Sequence, residues 1–199
     1  MAFEDFKANC LVPDERASNG SEGKLSSLGF LETDDCLRWI NEIKRRDPEA
    51  SVVLMGQSMG GFIVMRAIDK IPPYVVSCIE DCGFSSAYEE IIYPFPKSIK
   101  WLVGFVAIIY FHLHFHVSIT KDTTGKTLPN AKAPIMLVHG TGDRMVPYSF
   151  LKKNVDAVNP KVKKTVLVVL DADHTLSLYT NEAKYRATFD SFIGEKWKD

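Results

Sequence analysis

Three short stretches of the sequence hold side chains that could make and break bonds. At Gly56-Gln57-Ser58-Met59-Gly60, a Gly-x-Ser-x-Gly turn joins the apolar run Ser51–Met55 to a helix-patterned segment that opens at Met59. A serine on such a turn has its hydroxyl held clear of the backbone, while the flanking glycines let strand and helix approach closely. The competing reading is a glycine-rich turn that serves packing alone, with Ser58 as a helix N-cap. A serine hydroxyl is a poor nucleophile at its free pKa, so attack needs a base, and the base needs a carboxylate to fix its tautomer. In IMLVHGTGDRMVP, Asp143 lies four residues beyond the apolar run Ile135–His139, and in VLVVLDADHTLSL, His174 lies four residues beyond Leu170. The chain order is Ser, Asp, His. Asp143 could instead cap a turn with Gly140 and Gly142, and His174 could be a surface histidine of a polar loop. Asp81, Asp171 and Asp173 are the other carboxylates to weigh. His139 suits the base less well, because it lies inside the run that delivers Asp143.

Such residues must be carried by elements that end at one rim. Apolar runs of strand length alternate here with amphipathic segments of helix length, the rhythm of a parallel sheet flanked by helices. The expected strands are Ala8–Val12, Ser51–Met55, Tyr74–Glu80, Ile135–His139 and Thr165–Leu170. Most are continuous apolar runs, as expected where both faces of a sheet are covered. The expected helices are Leu28–Arg46, Met59–Lys70, Tyr148–Val158 and Asn181–Lys196, bounded by prolines and basic last turns. Ser58, Asp143 and His174 then all follow the carboxyl ends of strands, where open α/β sheets place ligands. From about residue 93 to 128 the rhythm is lost. We read one α/β domain over residues 1–199, a mostly parallel sheet with helices on both faces, carrying a small insertion at 93–128.

Composition narrows the classes of function. The chain has 199 residues, 24 Lys+Arg against 25 Asp+Glu and 46% hydrophobic residues, which suits one domain with a core of its own. A net charge of −1 and the lack of a basic run interleaved with aromatics argue against nucleic acid as a partner. Cys10, Cys36, Cys78 and Cys82 lack the dense spacing of a disulfide scaffold and read as reduced core or near-core thiols. The acidic, amphipathic start MAFEDFKANC disfavours a secretory signal, so a cytoplasmic location is expected.

Two further clusters bear on metal and membrane. Cys78 and Cys82 are not spaced as a zinc pair. His112, His114 and His116 would share one face of a strand and could then hold zinc, whereas a helix would scatter them. The bulky apolar neighbours and the lack of a carboxylate in the run favour a segment without metal. The stretch Trp101 to Phe111 is too short, and the histidines after it too polar, for a bilayer span. The favoured role is a cover over a pocket or a docking surface, with Phe105, Tyr110, Phe111 and Phe115 giving an apolar face.

The constellation resembles the α/β-hydrolase superfamily, in particular its bacterial esterase and peptidase-like members. VPDERASNGSEG is similar to that family's loop Asp-x-Arg-Gly-His-Gly-x-Ser-x-Gly: Asp14, Arg16, Ser21 and Gly23 match, while Ala17, Ser18 and Asn19 depart. IEDCGFSS and HGTGDRMVP also look like segments of those members. The resemblance implies Ser58 as nucleophile, Asp143 as acid, His174 as base and the Met59 N–H as an oxyanion donor, with no metal or organic cofactor. Family members begin with further strands, and a His-Gly turn among them supplies a second oxyanion donor. About a dozen residues precede Asp14 here, so the expectation is a fold lacking those first strands. Loss of one donor typically costs about 10²–10³ in turnover. An unpaired apolar sheet edge would also invite self-association. The expected function is therefore a serine hydrolase acting on an ester, amide or peptide through an acyl-enzyme. The alternative is a non-catalytic binding module with an incomplete oxyanion hole.

Overall fold

A computed structural model describes residues 8–194 of the chain. Four strands, β1 (Val52–Gln57), β2 (Val75–Asp81), β3 (Ile135–Gly140) and β4 (Lys164–Val169), form one sheet in the order β1-β2-β3-β4, every neighbouring pair parallel. The helices are α1 (Phe30–Arg46), α2 (Met59–Ala67), α3 (Ala87–Ile92), α4 (Lys97–Phe115), α5 (Thr124–Thr127), α6 (Ser149–Ala157), α7 (Ser177–Thr180) and α8 (Glu182–Ile193), with a 3₁₀ turn at Leu128–Asn130.

Side chains alternate across a strand, so a strand buried on both faces must be nearly all apolar. β3 is buried at all six positions and is apolar but for His139. Its Ile135 and Leu137 join Ile40 of α1, Val64 and Ile68 of α2 and Leu151 of α6 on one face. Met136 and Val138 join Tyr185, Phe189 and Phe192 of α8 on the other. The outer strands β1 and β4 are only partly buried. A third cluster, built from Phe30, Phe62, Phe84, Phe111, Phe115 and Phe150, lies beside the residues that follow the strands and joins α4 to the body.

The four later strands lie within a residue or two of their expected bounds, and the first is overturned. Residues 8–15 hold no strand, and Leu11 and Val12 face solvent, Val12 by 81%. Among the described residues no strand pairs with the outer edge of β1, and a lone extended segment has no ladder to join. Cys10 lies in the same uncovered stretch and is exposed, unlike the buried Cys78 and Cys82 and the half-buried Cys36; all four are free thiols. α1 opens at Phe30 rather than Leu28, because Leu28 and Gly29 take positive φ of 54° and 95°. A side chain at Gly29 would meet the Phe62 ring at 2.7 Å, and Glu32 reaches back to the Gly29 N–H at 3.0 Å to cap the helix. The expected run to Lys70 stops at Ala67, and the tail of the last expected helix, beyond Gly194, lies outside the described residues.

The segment 93–128 is mostly one helix. α4 spans 19 residues, longer than its apolar stretch suggested, and His116 ends it at φ 56°. The chain then returns to the body through Thr124 Oγ1, which donates to Asn154 Oδ1 at 2.7 Å, and Thr127 Oγ1, which donates to the Met65 carbonyl at 2.6 Å.

Candidate active site

β1 delivers Ser58 and α2 starts directly after it. Ser58 has φ 56° and ψ −119°, a conformation L-residues rarely adopt and one that costs about 1–3 kcal/mol. Its N–H donates to the Asp81 carbonyl at the end of β2 (2.8 Å), which fixes the turn to the neighbouring strand. Gly56 is required because a Cβ there would lie 2.1 Å from the Gly60 carbonyl oxygen, whereas a Cβ at Gly61 would crowd the Gly83 backbone at 3.1 Å. Gly60 itself faces open space. The Ser58 side chain caps nothing on α2. Its Oγ lies 2.8 Å from His174 Nε2 instead.

β3 and β4 deliver the other two residues through loops laced together by backbone. Thr141 N–H donates to the Val169 carbonyl (2.9 Å) and Gly142 N–H to the Ala172 carbonyl (3.0 Å). A Cβ at Gly140 would sit 2.1 Å from the Ala172 oxygen, so this approach requires glycine. The Asp143 carboxylate is buried. Its Oδ1 accepts from the N–H groups of Met145 (3.0 Å) and Val146 (2.8 Å), and its Oδ2 lies 2.8 Å from His174 Nδ1. Burial alone would raise the Asp143 pKa, but the bonds from His139, His174 and Val146 N–H outweigh it and hold the carboxyl well below its usual range. The His174 pKa is raised, chiefly by its bond to Asp143. With an ionised acceptor at Nδ1, the imidazole proton sits there, and Nε2 is bare toward the Ser58 hydroxyl. The arrangement can pass a proton from Ser58 Oγ to His174 Nε2.

Asp81 and Asp173, the rival carboxylates with side-chain partners, are engaged elsewhere. Asp81 accepts from the Tyr185 hydroxyl at 3.1 Å, and burial pushes its pKa up to about 6. Asp173 accepts from Arg144 Nε (2.9 Å) and from the Arg144 and His174 backbone N–H groups, and the Arg144 guanidinium draws its pKa down to about 2. Asp171 has positive φ (57°) at the start of the His174 loop, as does Thr175 (63°) just past the histidine. His139 Nε2 is 3.0 Å from the Val146 carbonyl and 3.4 Å from Asp143 Oδ2, so it braces the acid from below. Met59, as the first residue of α2, carries one of the backbone N–H groups a helix leaves without an internal partner.

Several neighbours of the site gave no signal in the sequence. Arg144 and Asp173 clip the acid loop to the base loop across 29 residues of chain. Gln57 Nε2 donates to the Thr175 carbonyl at 3.2 Å. Glu90 of α3 is within electrostatic reach of His174, Asp143 and His139, and burial pushes its pKa up to about 7. Its buried Oε2 has no hydrogen-bond partner among the described residues. Nothing in the local pattern distinguishes Glu90 from Glu89, which pairs with Lys153.

Donor atoms of Cys82, Asp143 and His174 lie within 4.8 Å of one another, close enough for a metal. The buried Cys82 thiol has its pKa raised, mainly by desolvation, so it is a protonated and therefore poor ligand. His112, His114 and His116 do not form the one-faced cluster a strand would give. They lie on or at the end of a helix, all exposed, with the His114 ring 4.5 Å from that of Tyr110. Of the four aromatics expected to face a pocket, Phe111 and Phe115 are buried in the core, while Phe105 and Tyr110 point outward.

No family model matches the sequence. An uncharacterized protein of Bacillus subtilis (strain 168), YqkD, is 22% identical over 200 residues; the match takes in 96% of this chain and 64% of the length of that relative. An esterase of Pyrococcus furiosus superposes with a TM-score of 0.65 at 19% identity, over 94% of this chain and 69% of its own. The acylaminoacyl peptidase of Pyrococcus horikoshii gives 0.66 at 20% identity, over 93% and 32%. Alpha/beta hydrolase domain-containing protein 10 from mouse gives 0.64 at 17% identity, over 92% and 76%. Parallel strands in this order, helices on both faces and these neighbours together make the fold of the chain that of the α/β hydrolases.

Proposed function

We propose that the chain is a serine hydrolase, cleaving an ester, or an amide or peptide bond, through an acyl-enzyme on Ser58. The observation that carries this reading is the continuous relay Ser58 Oγ, His174, Asp143, with 2.8 Å at each link. His174 Nε2 takes the hydroxyl proton as Ser58 Oγ attacks the substrate carbonyl carbon. The proton then passes from Nε2 to the leaving oxygen or nitrogen as the bond to it breaks, leaving an acyl ester on Ser58. Water, deprotonated by the same nitrogen, hydrolyses that ester and restores the hydroxyl. Asp143 holds the tautomer and stabilises the imidazolium without itself taking the proton. The Met59 N–H is the donor we assign to the oxyanion, by its place directly after the nucleophile. We read 93–128 as a cap, since α4 packs into an apolar cluster that also holds Val146 and is flanked by Met59.

The esterase and peptidase neighbours support a hydrolase of this general kind, and leave the bond to be tested. A fluorophosphonate probe should label the folded chain at Ser58, and Ser58→Ala should abolish both labelling and hydrolysis of p-nitrophenyl acetate, a fall of about 10⁴-fold or more. Folded protein that binds an ester without labelling or turnover would point to the binding-module alternative.

A further inference from the structure

α4 has two apolar faces and the body of the protein covers one. Gly104, Ala107, Phe111 and Phe115 form the buried stripe. At Gly104 the helix comes so close to α3 that a Cβ would meet the Tyr88 hydroxyl at 2.4 Å, and the Phe111 ring packs 6.0 Å from that of Phe30. On the opposite side Trp101, Leu102, Phe105, Val106, Ile109 and Leu113 follow the same helical spacing into solvent. Trp101 is 70% exposed, Leu113 65%, Phe105 58% and Val106 57%. A helix apolar all round is ordinarily buried or lies in lipid, and soluble proteins rarely leave so long an apolar stripe uncovered.

The charges beside this stripe name its occupant. From Ile91 to Lys121 the chain carries Lys97, Lys100 and Lys121 and no Asp or Glu. Lys97 and Lys121, one beyond each end of the apolar stripe, are exposed. A second copy related by a two-fold axis would lay this patch on itself and offer those lysines no counter-charge. An anionic bilayer surface satisfies both features, taking the apolar stripe among its acyl chains and the ammonium groups among its phosphates. The helix has the length and hydropathy of a membrane span. Spanning, however, would tear Phe111 and Phe115 from the aromatic core. We infer that the outer face of α4 is a docking surface for anionic membrane, with the helix lying along the lipid interface. This takes the docking surface expected for this segment and gives it an occupant, and it stands apart from the chemistry assigned to Ser58.

Co-sedimentation tests it with large vesicles of phosphatidylcholine alone and of phosphatidylcholine mixed with phosphatidylserine. The chain should pellet with the mixed vesicles, less so with the neutral ones, and its binding should weaken as salt is added. Phe105→Asp with Leu113→Asp should remain in the supernatant while keeping the far-UV circular dichroism and thermal midpoint of the parent. Lys97→Gln and Lys121→Gln should each lower partition to the mixed vesicles by about fivefold. Full recovery of the folded parent in the supernatant with mixed vesicles would overturn the inference. So would a dimer in sedimentation velocity that the Phe105→Asp and Leu113→Asp changes dissolve, since a second copy would then be the occupant.

Discussion

The rim that holds Ser58, Asp143 and His174 and the helix α4 are fixed in different ways. At the rim, position is set by backbone. Glycines without room for a Cβ, carbonyls bonded across loops and residues held at positive φ leave few degrees of freedom. In α4, position is set chiefly by one stripe of side chains dropped into an aromatic cluster, and the opposite apolar face is exposed. Geometry at the rim should therefore fail with single atoms, while α4 should tolerate anything that spares its inner face.

Removing side chains from the two faces of α4 breaks or upholds that contrast most directly. Phe111→Ala should cost about 3–5 kcal/mol in urea denaturation, whereas Phe105→Ala should change stability by less than about 0.5 kcal/mol. Equal effects would mean that both faces are covered. At the rim one methyl group suffices: Gly140→Ala forces the acid and base loops apart, and a displacement of about 1 Å should lower kcat for an activated ester about 10²-fold. Gly60→Ala, which meets open space, should leave the thermal midpoint within a few degrees of the parent. Cutting the exposed clip with Arg144→Ala should leave the thermal midpoint close to that of the parent. A lowered kcat in that variant, with the midpoint unchanged, would show that the clip positions His174 rather than stabilising the fold.

The smallest effect concerns pH. His174 must be neutral to accept a proton, and its bond to Asp143 raises its pKa above the 6.5 of a free imidazole. kcat/KM should therefore fall as pH drops through an acid limb above that value. Ionised Glu90 raises the His174 pKa further, so Glu90→Gln should move the limb to lower pH. Asp143 and His139 also face Glu90, and a limb that stays in place or moves upward would show that their fields, not Glu90, dominate.

The sequence was most legible where one physical rule acts alone. β3 could be read because a strand covered on both faces is nearly all apolar, and the meeting of Ser58, Asp143 and His174 because each lies within a few residues of the end of an apolar run. Ala8–Val12 was misread because apolar composition reports readiness to pair and not the presence of a partner. The histidines of 112–116 alternate as a strand would, yet the helix running in from Lys97 overrides that local pattern. The pairing of Arg144 with Asp173, the reach of Gln57 to Thr175 and the place of Glu90 have no sequence signature. Their contacts arise from how loops distant in sequence are laid side by side, and no periodicity records that.

The strands lie in the sheet in the order in which they occur along the chain, so each can add to its predecessor as synthesis proceeds. The alcohol emerges with the first strand, the carboxylate after the third and the imidazole only after the fourth. The link from Ser58 through His174 to Asp143 therefore closes only once the loop after β4 has docked against those after β1 and β3.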